Sequence, residues 1–405
     1  MSPRHHVTTG FMPLLDSALI VAAKEKGFAE AEEIALTLVR ETSWANIRDR
    51  LAVGHFQTAH MLGPMPIACN LGLTPLASPT LVPMALGLGG NAVTVSNGLW
   101  ERMAAHGATE DLDARSAGLA LKAVAAESPG SKLRFAVVHP YSGHNYELRY
   151  WLAACSVDPE RDIEIIILPP PLMADALAAG NIDGYCVGEP WNTAAVALGH
   201  GHIATIKAAI WRSSPEKVLG VQARWAAEHP DALDALLRAL YKAAVWCSAP
   251  ANKEELAALL AKPAYVGRPM EWMMPALTGQ VRASSRMTVR ADDFFVPHAK
   301  AATFPWKSHA LWFYTQLVRW GQITHSKANE KTARETYRPD LYRAALKPLG
   351  VALPGANAKV EGALQMATPV GSSGASLTLG PDGFFDGGLF DPDQIDTYIK
   401  SQSRP

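Results

Sequence analysis

The 405-residue chain predicts an α/β protein of two lobes joined by a hinge, with a ligand cleft between them. Three features predict it. The first half alternates strand and helix signals, which specifies a parallel sheet with helices on both faces. That rhythm breaks over residues 75–100, where Pro75, Pro79 and Pro83 flank an apolar run and Gly87, Gly89 and Gly90 follow. It then restarts as a second βα series and returns. Two strands therefore cross between lobes, and both sheets turn their carboxyl ends toward one cleft.

Residues 7–11 read as a strand and 17–24 as a helix, with Asp16 or Ser17 as its cap. Residues 34–39 are β-rich. Ser43 caps a helix on which Trp44, Ile47 and Leu51 share one face. Residues 58–62 make a short strand, and Pro64 suits the first turn of the next helix. The first crossing strand falls at 92–95. In the second series 133–138, 163–168 and 184–187 are strands, with helices at 145–154 and 172–179. Residues 203–206 and 218–221 return the chain to the first lobe. From Asp231 the chain is helical, and Leu233, Leu236, Leu237, Leu240 and Tyr241 form a core stripe. The boundaries follow: 1–95 opens lobe 1, 96–207 is lobe 2, and 208–350 completes lobe 1. Residues 351–405 form a glycine-rich, loop-rich tail that wraps the surface or stays partly mobile.

Apolar residues at 48% and charged residues at 19% fit a soluble globular protein. A net charge of -1 offers no basic stripe for nucleic acid, yet leaves room for a local basic site. Cys69, Cys155, Cys186 and Cys247 lack Cys-x-x-Cys spacing, so they read as semi-buried thiols rather than a zinc site or disulfide framework. No apolar run approaches the ~20 residues that span a bilayer. The opening Met1-Ser2-Pro3-Arg4 carries no apolar h-region and reads as cytoplasmic; a chain trimmed of a signal peptide would read the same. Nucleophile elbow, Walker loop, dinucleotide fingerprint and His-Glu-x-x-His are all absent. The expectation is a binding protein, not an enzyme, without cofactor or metal.

Four places can carry binding chemistry. The turn His139-Pro140-Tyr141-Ser142-Gly143-His144-Asn145 opens a helix, where free N–H groups and the dipole favour an anion; it is either a cradle or a simple cap beside a surface histidine. In Cys186-Val187-Gly188-Glu189-Pro190-Trp191, Gly188 permits close backbone approach. There Glu189 can orient a basic neighbour or accept a ligand proton, and Trp191 either walls a pocket or packs in the core. Lys217, in Pro215-Glu216-Lys217, is either a cleft charge or a solvated one. Trp44 offers an indole N–H or core packing.

Several segments together carry a family resemblance. They are Gly10-Phe11-Met12-Pro13-Leu14, Ser43-Trp44-Ala45-Asn46-Ile47-Arg48-Asp49, Ala59-His60-Met61-Leu62-Gly63-Pro64, Arg149-Tyr150-Trp151-Leu152, the Cys186 to Trp191 turn and Lys307-Ser308-His309. From about Gly10 to about Gln322 the chain resembles the nitrate- and bicarbonate-binding proteins of cyanobacterial-type ABC importers, the NrtA/CmpA family. The resemblance implies a periplasmic-binding-protein-like fold of type II. It also implies that the anion is held by Trp44, His144, Gly188 and Lys217, with Asn91 where the family has glutamine and Glu189 in the same turn. This donor set requires no carboxylate at the anion and suits a trigonal monoanion. The start at the core resembles the cytoplasmic nitrate-sensor branch (NasS type). That branch implies a partner, an RNA-binding antiterminator of the ANTAR class (NasT type), held by the unliganded sensor and released by nitrate or nitrite. The alternative is the solute-binding component of a nitrate or bicarbonate importer.

Overall fold

A computed structural model describes residues 4–76, 78–127 and 130–402, so the opening residues 1–3 lie outside it. Eleven strands carry the architecture: β1 (His5–Phe11), β2 (Ile34–Arg40), β3 (Thr58–Leu62), β4 (Thr80–Ala85), β5 (Leu88–Gly89), β6 (Asn91–Ser96), β7 (Leu133–Val137), β8 (Ile163–Ile167), β9 (Gly184–Gly188), β10 (Gly201–Ile206) and β11 (Lys217–Gln222). Ten of them form two five-stranded sheets, in the orders β2-β1-β3-β11-β4 and β10-β6-β9-β7-β8.

Both sheets are mixed rather than parallel. β1 pairs parallel with β2 and β3, and β7 with β8 and β9, as the βα alternation predicts. β6 and β11 run antiparallel to their neighbours. The reason is direction. A strand of a βα series ends at the cleft, whereas a strand arriving from the other lobe starts there and runs away from it.

This pairing corrects the first lobe boundary. β6 sits between β9 and β10, so the second sheet takes in residues 91–96 rather than starting after 95. β10 also belongs to the second sheet, and of the two return segments only β11 joins the first. Apolar patterning identifies a crossing strand but does not say which sheet it completes. The first crossing turns on Gly87, Gly89 and Gly90, at φ of 121°, 72° and 88°, a region that favours glycine. A Cβ on Gly89 would lie 2.2 Å from the Phe294 carbonyl oxygen.

The helix Pro230–Ser248 buries its Leu233, Leu236, Leu237 and Leu240 stripe beside Ala18, Leu19 and Ala22 of the helix Ala18–Glu25. A second core runs across the lobes, joining Met12, Leu14 and Trp44 to Tyr146, Trp191 and Trp211. The four cysteines are free and buried. No helix among the described residues is long and apolar enough to cross a membrane.

The C-terminal segment is tied down rather than mobile, and it ends in the helix Ile395–Ser401. Phe384 stacks on Trp211 at 4.5 Å between centroids, and the Tyr150 hydroxyl donates to Asp386 at 2.9 Å. The Phe385 N–H donates to the Ile210 carbonyl at 2.9 Å. The segment thus straps the second crossing to a lobe 2 helix, and its apolar anchors hold it there despite its glycines. Phe384→Ala is expected to lower the unfolding free energy by about 3–5 kcal/mol, as for other buried phenylalanines. Denaturant unfolding checks this, since a tail lying on the surface would change it by less than about 0.5 kcal/mol.

Candidate functional site

Both sheets deliver strand ends to one place. Asp16 follows β1, Trp44 begins the helix after β2, His144 lies in the first turn of the helix Gly143–Ala154 after β7, and Gly188 ends β9. Asn91 and Lys217 open β6 and β11, the strands that start at the cleft. Asn91 is the register partner of Gly188, and Lys217 that of Leu62. Caps hold the helix starts: Ser43 accepts the Asn46 N–H at 3.2 Å, and Ser142 accepts the Asn145 N–H at 3.0 Å. At Gly188 a Cβ would lie 3.3 Å from Asn91 Oδ1 and 3.4 Å from Asp16 Oδ2.

Trp44, Asn91, His144, Gly188 and Lys217 therefore come together, and the first three and Lys217 are each 1% exposed or less. Lys217 is their centre. Its Nζ lies 2.8 Å from Asp16 Oδ2, 3.0 Å from Glu216 Oε1 and 3.5 Å from His144 Nε2. The Trp44 ring centroid is 5.7 Å from the same atom. Glu216 Oε1 also accepts from Asn91 Nδ2 at 2.8 Å and lies 3.4 Å from His144 Nε2. Behind Asp16, His60 Nδ1 accepts the Met12 N–H at 3.4 Å. That leaves its proton on Nε2, 3.0 Å from Asp16 Oδ1.

Glu189 is the exception among the expected residues. Its carboxyl turns to the next helix and accepts the Thr193 N–H at 3.1 Å. Its main chain does bridge the lobes, because its carbonyl accepts the Leu15 N–H at 2.8 Å. Trp191 is a core residue whose indole N–H reaches the Pro13 carbonyl at 3.3 Å.

The donor set was read as requiring no carboxylate at the anion, and the structure adds two carboxylates beside its ammonium. Asp16, read as a helix cap, and Glu216, quoted without a role, both sit on the ammonium; His60 supports from behind. A buried ammonium requires a counter-charge, and that requirement was the available signal. Burial opposes ionisation throughout. For Asp16, Lys217 and His60 outweigh it and hold the carboxyl below its usual range. For Glu216, Lys217, Lys207 and His144 do the same more strongly. Burial disfavours the Lys217 charge, but Asp16 and Glu216 more than restore it. Burial, then Lys217, pushes His144 down to about 3, so its ring is neutral, with one donor and one acceptor nitrogen.

The buried polar atoms here without a hydrogen-bond partner among the described residues include Trp44 Nε1, Asn91 Oδ1 and His144 Nδ1. Each such group costs roughly 1–3 kcal/mol when left unmade. Together with the ammonium they make a cluster suited to a small polar ligand.

Residues 1–261 match the NMT1-like family over most of the chain. The chain belongs to the NMT1-like family. It is 33% identical to the nitrate/nitrite binding protein NrtA of Synechococcus elongatus over 97% of this chain and 85% of that protein. It is 38% identical to the nitrate import ATP-binding protein NrtC of Synechocystis over 84% of this chain, spanning only 50% of that longer protein. The crystal structure of the periplasmic nitrate-binding protein NrtA from Synechocystis superposes over 100% of both chains, with a TM-score of 0.87 at 27% identity. This NMT1-like chain therefore has the periplasmic-binding-protein fold, and the resemblance to the NrtA/CmpA proteins holds along its length.

Glu189 supplies a pH prediction. Burial raises its carboxyl from 4.5 to about 7. A group raised on folding contributes stability that is complete below its unfolded value and lost as pH rises through the folded one. Glu189→Gln is therefore expected to flatten the fall in stability between pH 4.5 and about 7. Chemical denaturation across that interval checks it; an unchanged slope would place the titration elsewhere.

Proposed function

We propose that this chain binds a small oxyanion, nitrate or nitrite first and bicarbonate as the alternative, between its lobes as the solute-binding component of an ABC-type importer. The observation that carries this is the convergence of Trp44 Nε1, Asn91, the neutral His144 ring and the Lys217 ammonium at the strand ends of both sheets. An indole N–H, an amide, an imidazole and one ammonium suit a planar monoanion, whose charge-assisted hydrogen bonds supply most of the affinity. The relative NrtA, described as a nitrate/nitrite binding protein, covers nearly the whole chain and supports the ligand class.

The same relatives favour the importer over the sensor with an ANTAR-class antiterminator, since those named above are importer or binding components. In either case closure on the anion changes the angle between lobes, and a partner that touches both lobes responds to it.

Calorimetric titration with nitrate, nitrite and bicarbonate tests the ligand. Trp44→Phe keeps an aromatic ring and removes the N–H, and is expected to weaken nitrate binding about 10-fold or more, the loss of one hydrogen bond to a charged acceptor. Lys217→Gln removes the charge and is expected to weaken it at least about 10-fold. Wild-type affinities in both variants would refute the site. Loading of the full importer with labelled nitrate separates transport from sensing, whereas a nitrate-sensitive complex with an ANTAR-class antiterminator would restore the sensor.

A further inference from the structure

The donors assigned above to an anion already hold one belonging to the protein. Asn91 Nδ2, Lys217 Nζ and His144 Nε2 lie 2.8, 3.0 and 3.4 Å from a single atom, Glu216 Oε1. The same carboxylate faces the start of the helix Gly143–Ala154, where a Cβ on Gly143 would lie 3.2 Å from each of its oxygens. That helix start is where the sequence offered either an anion cradle or a simple cap. Glu216 is 2% exposed, and its main-chain carbonyl accepts the Gly63 N–H at 3.1 Å, an anchor separate from the contacts of its side chain. Its second oxygen, Oε2, has no hydrogen-bond partner among the described residues.

We propose that Glu216 is a built-in surrogate for the ligand, a carboxylate that occupies the donors of Asn91 and Lys217 beside His144 and is displaced when an external oxyanion binds. This rests on the oxyanion-binding function proposed above and deepens it. A carboxylate and nitrate are both planar and carry their charge on oxygens about one small group apart, so the same donors satisfy either. Lys217 already carries two carboxylates, and a third anion entering beside Glu216 would meet its charge at close range. Asp16 has its own contact with Lys217, tied to His60, and keeps the ammonium neutralised when Glu216 leaves. The surrogate keeps the donors satisfied in the closed clamp and lowers the affinity for an external anion. Glu216 thereby tunes which anions bind, since only one that outcompetes a carboxylate at these donors enters.

The test is calorimetric titration of nitrate, nitrite and bicarbonate into wild type, Glu216→Gln and Asp16→Asn. Removing the internal competitor is expected to tighten nitrate binding by about 10-fold or more in Glu216→Gln, and by clearly less in Asp16→Asn. Binding in Glu216→Gln that is unchanged or weaker than wild type overturns the surrogate and leaves the oxyanion site standing. Equal tightening in both variants also overturns it, because the local field and not occupancy would then set the affinity. If no anion binds wild type or Glu216→Gln, the oxyanion function itself fails, and the surrogate with it. A crystal structure of wild type with nitrate decides the matter should Glu216→Gln not fold. Glu216 Oε1 is expected to lie beyond hydrogen-bond reach of Asn91 Nδ2, and bound nitrate with that contact intact would overturn the proposal.

Discussion

One buried ammonium organises this molecule. Lys217 sits at 1% exposure where the two lobes meet, and an isolated charge in such a place costs several kcal/mol. Its contacts come from both lobes and from the crossing between them. Asp16 comes from the turn after β1, Glu216 from the second crossing, and His144 from a lobe 2 helix. Each partner is in turn held, Asp16 by His60 and Glu216 by Asn91. The approach of the lobes therefore completes the set of contacts around this charge.

Strand direction explains why the charge lies there. The strands of each βα series end at the cleft, and the two that cross between lobes begin at it. The first residue of each strand that follows a crossing thus lies at the cleft, which is how Asn91 and Lys217 reach the site from opposite sheets. The C-terminal segment adds a strap from the second crossing to the helix carrying His144, through Phe384 on Trp211 and Asp386 on Tyr150. Movement of one lobe must work against both the ammonium's partners and this strap.

Much of this was legible in the amino-acid order. The strand at Thr58–Leu62, the caps Ser43 and Ser142, and the glycine-rich crossing follow from local patterns. Asn91 was reached only through the family resemblance, and Trp44, His144, Gly188 and Lys217 because each stands in a turn or helix start beside a strand end. Glu189 was reached for the same reason, but its carboxyl turns to a helix N–H instead. Asp16, His60 and Glu216 were passed over because nothing local marks them; a carboxylate after a strand reads equally well as a cap.

The sequence by itself determined the elements, the crossings and the strand ends that line the cleft, because periodicity, caps and glycine positions act within a few residues. Only the tertiary structure decided which sheet β6 and β10 complete, that the final segment is a strap, and which charges meet on Lys217. Those outcomes depend on pairing, packing and desolvation between residues far apart in the chain. No local pattern records that Asp16 and Glu216 must share one buried ammonium.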